Sequence, residues 1–132
     1  MASELRVNTL KDASGNNSIA TSFVANGSAK VWTNGDGSGT VAITDSLNTA
    51  SMTDEGTGDY TYNFTSNMGN TTYIVQGIAT ETDKAQPRVV GCGTSADTGY
   101  ATGSHGVICI RIDNQNADDM DVVNSSVFGD LA

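Results

Sequence analysis

A chain of 132 residues with a formal net charge of −9 has room for one compact domain and an appended segment. Its acidity excludes the basic footprint of a nucleic-acid binder and attraction to an anionic membrane surface. Leu, Ile, Val and Phe number 25 of 132, about 19%, near the border where burial ceases to offset conformational entropy.

The apolar residues are nonetheless gathered into periodic runs led by Val and Ile. A folded domain with a thin core is expected, completed by a partner subunit in a homo-oligomer. Roughly half the chain is Gly, Ser, Thr, Asn and Asp, which favour turns and polar strand faces over helix interiors. No run is long and apolar enough to span a membrane, and the first residues (MASELRVNTLKD) hold no signal-peptide core. Synthesis and retention in a cytoplasm, with release by lysis, is the expectation.

Residues 1–28 read as an extended, strand-like N-terminal arm. Leu5 and Val7 alternate with polar neighbours, residues 11–18 (KDASGNNS) are turn-like, and residues 19–24 are apolar again. A helix capped by Ser3, with Leu5, Val7 and Leu10 on one face, would last barely two turns before the Ser-Gly-Asn-Asn break.

Residues 29–132 form the domain. The first strand is expected over residues 29–33 (AKVWT), ended by residues 34–37 (NGDG), and the next over 40–44 (TVAIT), with Val41 and Ile43 on one face. The clearest hairpin joins residues 49–54 to 59–65 through the Gly-bearing loop 55–58. Within it Tyr60, Tyr62 and Phe64 lie at period two and share one face, as core or interface. Further strands are expected over 72–79, 88–95, 106–113 and 122–128, the middle pair joined by a loop over 96–105. Short strands at about ten-residue spacing predict an all-β fold: an antiparallel, jelly-roll-like β-sandwich preceded by the arm.

Few residues suit chemistry. If 88–95 and 106–113 pair about Tyr100 and Ala101, Cys92 faces Cys109 within reach of a disulfide; in a cytoplasm both are expected reduced, as small core residues. Residues 34–45 (NGDGSGTVAITD) mimic a calcium loop, but the second half alternates as a strand and no helix flanks it. The acidic run over 113–121 reads as a solvated loop. His105, the single histidine, falls in a mobile-looking Gly-Ser-His-Gly loop without a local triad signature. Trp32 is the single tryptophan, expected as a core anchor, with a sugar platform as the rival role. No catalytic residue, metal or cofactor is expected.

One stretch carries a resemblance: Lys30 and Trp32, Gly37 to Thr40, Ile43, Asp45 to Asn48, Ser51 to Asp54, Gly56 to Thr61, Asn63 and Phe64, with Met68 and Tyr73 beyond. It resembles a segment of virion structural proteins of tailed bacteriophages, marine and cyanobacterial ones above all, where it occurs in tail-fibre-like and small head-associated proteins. The chain departs from that pattern at Thr33, Thr44 and Leu47. The match spans about a third of the chain.

The resemblance implies a virion structural protein assembled in a host cytoplasm. A chain this short lacks a fibre shaft, so the expected role is a capsid decoration or cement protein on the outside of the head. Such a protein would be a trimer bound to the major capsid protein or another virion protein, with no nucleic-acid or membrane partner. Leu5, Val7 and Leu10 are the expected anchoring residues. The alternative is a short tail fibre or receptor-binding tip that recognises a host glycan through Trp32, Tyr100 and His105. A sugar-binding module outside any virion is a third reading.

Overall fold

Alternation along the chain becomes strand after strand in the structure, a computed structural model that describes residues 3–82, 88–93 and 99–132. The N-terminal segment contributes β1 (Thr9–Lys11), β2 (Ser18–Ala20) and the helix α1 (Thr21–Gly27). The domain comprises β3 (Val31–Asp36), β4 (Ala42–Leu47), β5 (Thr49–Gly56), β6 (Asp59–Phe64), β7 (Ile74–Thr80), β8 (Arg88–Cys92), β9 (Tyr100–Ala101), β10 (Ser104–Arg111) and β11 (Val122–Phe128). The first sheet has the order β5-β6-β10-β8, with β9 also paired to β10; the second has the order β4-β3-β11-β7. All these pairings are antiparallel.

The two sheets pack face to face. One core cluster joins Tyr60, Tyr62, Val107 and Cys109 of the first sheet to Ala79 and Val123 of the second, with Met120 between. Another joins Val31 and Val127 of the second sheet to Phe64 of the first, with Met68 and Tyr73. This is the all-β antiparallel sandwich that the alternation predicts. Within that class the winding is by hairpins inside a sheet (β3–β4, β5–β6, β9–β10). The chain changes sheet only at β4–β5, β6–β7, β7–β8 and β10–β11, less often than in a jelly roll.

The thin apolar core is supplemented by polar bridges between the sheets. The Thr33 and Thr49 hydroxyls lie 2.6 Å apart, and His105 Nε2 lies 2.7 Å from Ser125 Oγ. Tyr62 donates to the Val123 carbonyl at 2.7 Å and Tyr60 to the Gly37 carbonyl at 2.9 Å. Each satisfies a polar group that would otherwise be buried at a cost.

Several expectations are corrected. The first strand, expected over 29–33, does not end at Thr33; β3 spans Val31–Asp36. A Cβ at Gly35 would collide with the Tyr62 hydroxyl, so this glycine makes room for a tyrosine ring within the strand; Gly37, just past its end, leaves the same room for Tyr60. β4 likewise extends to Leu47, and Thr44 is its extra residue where the register shifts opposite Asn34 and Gly35. Such a bulge absorbs a one-residue mismatch by local twisting.

The arm is not extended throughout. Thr9–Lys11 and Ser18–Ala20 form a small hairpin closed by Asp12, whose carboxylate accepts from Ser14, the Asn16 amide and Asn17. Residues 21–27, which overlap the apolar run over 19–24 of the expected extended arm, are helical. A run this short carries no period that tells strand from helix. The helix is tied back locally, with Thr21 donating to the carbonyls of Val7 and Asn8. Of the expected strand over 88–95, residues 94–95 lie outside the described residues, as do 96–98 of the loop after it.

Candidate functional site

Cross-strand register assembles an open hollow on the outer face of the second sheet. On β3, Val31, Thr33 and Gly35 point into the sandwich, so Trp32 and Asn34 point out. On β11 the inward set is Val123, Ser125 and Val127, leaving Asn124 and Ser126 outward. Ser126 pairs with Trp32 on one side and Gln76 of β7 on the other; Asn124 pairs in the same way with Asn34 and Ile78. Two small polar side chains therefore form a floor along β11, walled by Trp32 and Asn34 on β3 and by Gln76 and Ile78 on β7. The result is an open groove of about 410 Å³.

Asn34, Gln76, Asn124 and Ser126 line it together with Trp32, Gly77 and Ile78; its accessible surface is mostly apolar, and none of these residues is ionisable. Trp32 is 38% exposed and Ile78 is 62% exposed. Asn124 Oδ1 is out of solvent and takes no hydrogen bond from the protein. Asp45 stands opposite Asn34 in the register, Asp36 lies two residues along β3, and Lys30 lies two residues before Trp32.

The three residues expected to recognise a surface ligand do not come together. Trp32 is on the outer groove, which removes it from the core-anchor role. Tyr100 is half-exposed at the margin of the first sheet, packed on Tyr73 with ring centroids 5.1 Å apart. His105 is the correction: it lies on β10, not in a mobile loop, and is 1% exposed. It sits between Tyr62 and Phe64, with centroids 5.4 and 5.5 Å away. Burial pushes its pKa down to about 4, which keeps the ring neutral near pH 7. Nε2 faces Ser125, and Nδ1 has no hydrogen-bond partner among the described residues.

Nor do the cysteines face each other. The observed register sets Cys109 against Val90 and Cys92 against Val107, two residues away from the expected alignment. The tight turn falls at Thr102 and Gly103, between β9 and β10, rather than at Tyr100 and Ala101. Both thiols are free, Cys109 buried and Cys92 exposed, and burial pushes the Cys109 thiol up to about 12.

The acidic run over 113–121 is folded into the end of the sandwich. Asp118 reaches Arg88 and Arg111 at 3.8 and 3.7 Å, Asp119 accepts from the Gly58 amide and the Tyr60 hydroxyl, and Asp121 accepts from Thr82. The calcium-like stretch over 34–45 is spread along the β3–β4 hairpin, with Asp36 accepting from the Ser38 amide and hydroxyl.

The anchoring residues Leu5, Val7 and Leu10 are all exposed, Leu5 at 79%. Phe23 is 72% exposed, Ile19 and Val24 are also exposed, and no residue of α1 is buried. Beside the root of this segment lies a second hollow of about 430 Å³, lined by Lys30, Leu47, Asn48, Ser66 and Leu131 among others.

Comparison of the chain with protein-family models, with curated proteins and with solved structures finds no match.

Proposed function

We propose that the chain is a virion structural protein of a tailed bacteriophage, a decoration protein held on the outside of the head and acting as a trimer. The observation that carries this reading is the N-terminal segment, which presents Leu5, Ile19, Phe23 and Val24 to solvent and buries none of its helix. Burying one such side chain is worth about 1.5–3 kcal/mol, so a surface that covers several of them binds the segment firmly. The major capsid protein or a neighbouring copy supplies that surface. The inter-sheet hydrogen bonds suit a part that must stay rigid while its arm is engaged.

The test is deletion of residues 2–12 together with Phe23→Ser. The variant is expected to keep the far-ultraviolet circular dichroism and melting behaviour of the intact chain but no longer sediment with particles. Undiminished attachment would overturn the anchoring role.

A second reading, a short fibre or receptor-binding tip, is favoured by the Trp32 groove. Copy number per particle separates the two: hundreds of copies fit decoration, a few dozen or fewer fit a fibre.

A further inference from the structure

We infer that the outer face of the β4–β3–β11–β7 sheet is covered by the N-terminal segment of a second copy of this chain. The inference rests on the reading of that segment as an anchor and names its partner. In cross-strand register Leu47, Trp32, Ser126 and Gln76 form one row across the sheet, and Phe128 pairs with Ile74 two residues further along. Trp32 lines one hollow and its cross-strand partner Leu47 lines the other, so the two hollows are neighbours on one surface. A broad, shallow, mostly apolar surface suits contact with protein, whereas a small ligand is held by a pocket that encloses it.

Charge, area and placement single out the occupant. The segment presents Leu5, Ile19, Phe23 and Val24 to solvent, and no residue of α1 is buried. Arg6, Lys11 and Lys30 against Glu4 and Asp12 give residues 1–30 a formal charge of +1, which leaves −10 on residues 31–132. Two such acidic bodies repel when brought together directly, whereas a segment of opposite sign is drawn to either.

Six apolar side chains of the segment and four of the face are, on average, about half exposed. At roughly 150 Å² apiece, covering them removes on the order of 800 Å² of apolar surface. That is the apolar share of a specific interface of about 1,200–2,000 Å².

Within one copy both surfaces stay uncovered. Thr21 donates to the Val7 and Asn8 carbonyls, and the Lys30 ammonium donates to the Ala25 and Ser28 carbonyls. These bonds fix α1 beside its own hairpin and not over its own sheet. The segment is rooted at Ala29 and Lys30, which line the second hollow, so it leaves the domain at the rim of the face that a neighbour presents.

The experiment follows the full-length protein and its variants by sedimentation velocity over a dilution series, with Trp32 emission read in parallel. Trp32 is the only tryptophan in the chain, so its emission reports on the face. The expected result is a concentration-dependent oligomer whose emission moves to the red as it dissociates. Deletion of residues 2–12 with Phe23→Ser removes most of the segment's apolar contacts, and Ile74→Glu with Ile78→Glu disrupts those of the face. Each variant alone is expected to be a monomer with unchanged circular dichroism, and Phe23→Ser by itself should weaken association about tenfold or more. Mixed in equal amounts, the two variants should form a two-chain species, because one intact segment then meets one intact face.

A full-length protein that is monomeric at every concentration overturns the inference. So does an oligomer that the face variant leaves intact, or a mixture that stays monomeric. A monomer whose Trp32 emission depends on Phe23 also overturns it, because the segment then covers its own face. Sedimentation with particles keeps these failures apart from that of the anchoring reading: a full-length monomer that still attaches overturns the second-copy contact alone.

Discussion

His105 and Asn48 show how single side chains hold the sandwich. The His105 ring is neutral in the fold, its pKa pushed from 6.5 to about 4 by burial, whereas in the unfolded chain it takes up a proton near 6.5. Below that pH the unfolded state binds more protons, so this contribution is fully present above pH 6.5 and is lost as the pH falls to about 4. The loss amounts to about 3 kcal/mol. Denaturant titrations of the intact chain should show that slope, and His105→Gln, which removes the only imidazole, should flatten it.

Asn48 makes the corner between the sheets as the only residue between β4 and β5, at a φ of 60°. Its side chain accepts from the Ser66 amide at 2.7 Å and donates to the Ser66 carbonyl at 3.0 Å. Asn48→Ala combines the left-handed penalty with two lost hydrogen bonds and should cost about 2–3 kcal/mol. Asn48→Gly keeps the backbone freedom and should cost measurably less in the same unfolding assay.

The β5–β6 hairpin shows most clearly at the scale of elements how local signals and distant contacts divide the work. Its alternation, its Gly-bearing turn and the inward face of Tyr60, Tyr62 and Phe64 were all legible in the sequence, and all three rings are buried. What holds the turn in place was not legible. Asp119, some sixty residues on, accepts from the Gly58 amide at 2.7 Å and the Tyr60 hydroxyl at 3.0 Å with a single oxygen. An acidic run that reads as solvated loop is in fact the clasp over this hairpin. Asp119→Ala should therefore destabilise the domain by about 2–3 kcal/mol, two charge-assisted bonds being lost. Asp113→Ala, whose carboxylate is half-exposed beside Arg111, should change little. Thermal melts of the two variants make the comparison. Helix α1 and the β8–β10 register were not legible for a related reason: seven residues hold too little periodicity, and strands joined by a long connection have no local rule that sets their register.

Charge and apolar surface are segregated over the molecule as a whole. Arg6, Lys11 and Lys30 are three of the chain's six cations, so the first thirty residues are close to neutral while the sandwich carries nearly all of the negative charge. The exposed apolar side chains fall mainly on two surfaces, the N-terminal segment and the outer face of the β3–β11–β7 sheet. An acidic body with an apolar, nearly neutral arm suits attachment through the arm. If the arm also joins copies, the deletion of residues 2–12 with Phe23→Ser should lower the sedimentation coefficient to that of a monomer.

Composition and periodicity by themselves determined the class of this protein. The β-branched runs, the turn residues and the period-two faces admit an antiparallel sandwich with a thin core, and they placed Tyr60, Tyr62 and Phe64 inside it. Tertiary structure alone decided which residues stand beside one another: Ser125 under His105, Asp119 under Tyr60, and Asn124 between Asn34 and Ile78. Alternation specifies the face on which a side chain lies, because that depends only on the parity of its position. The partner across the strand depends on register and strand order, which arise from packing over the whole chain.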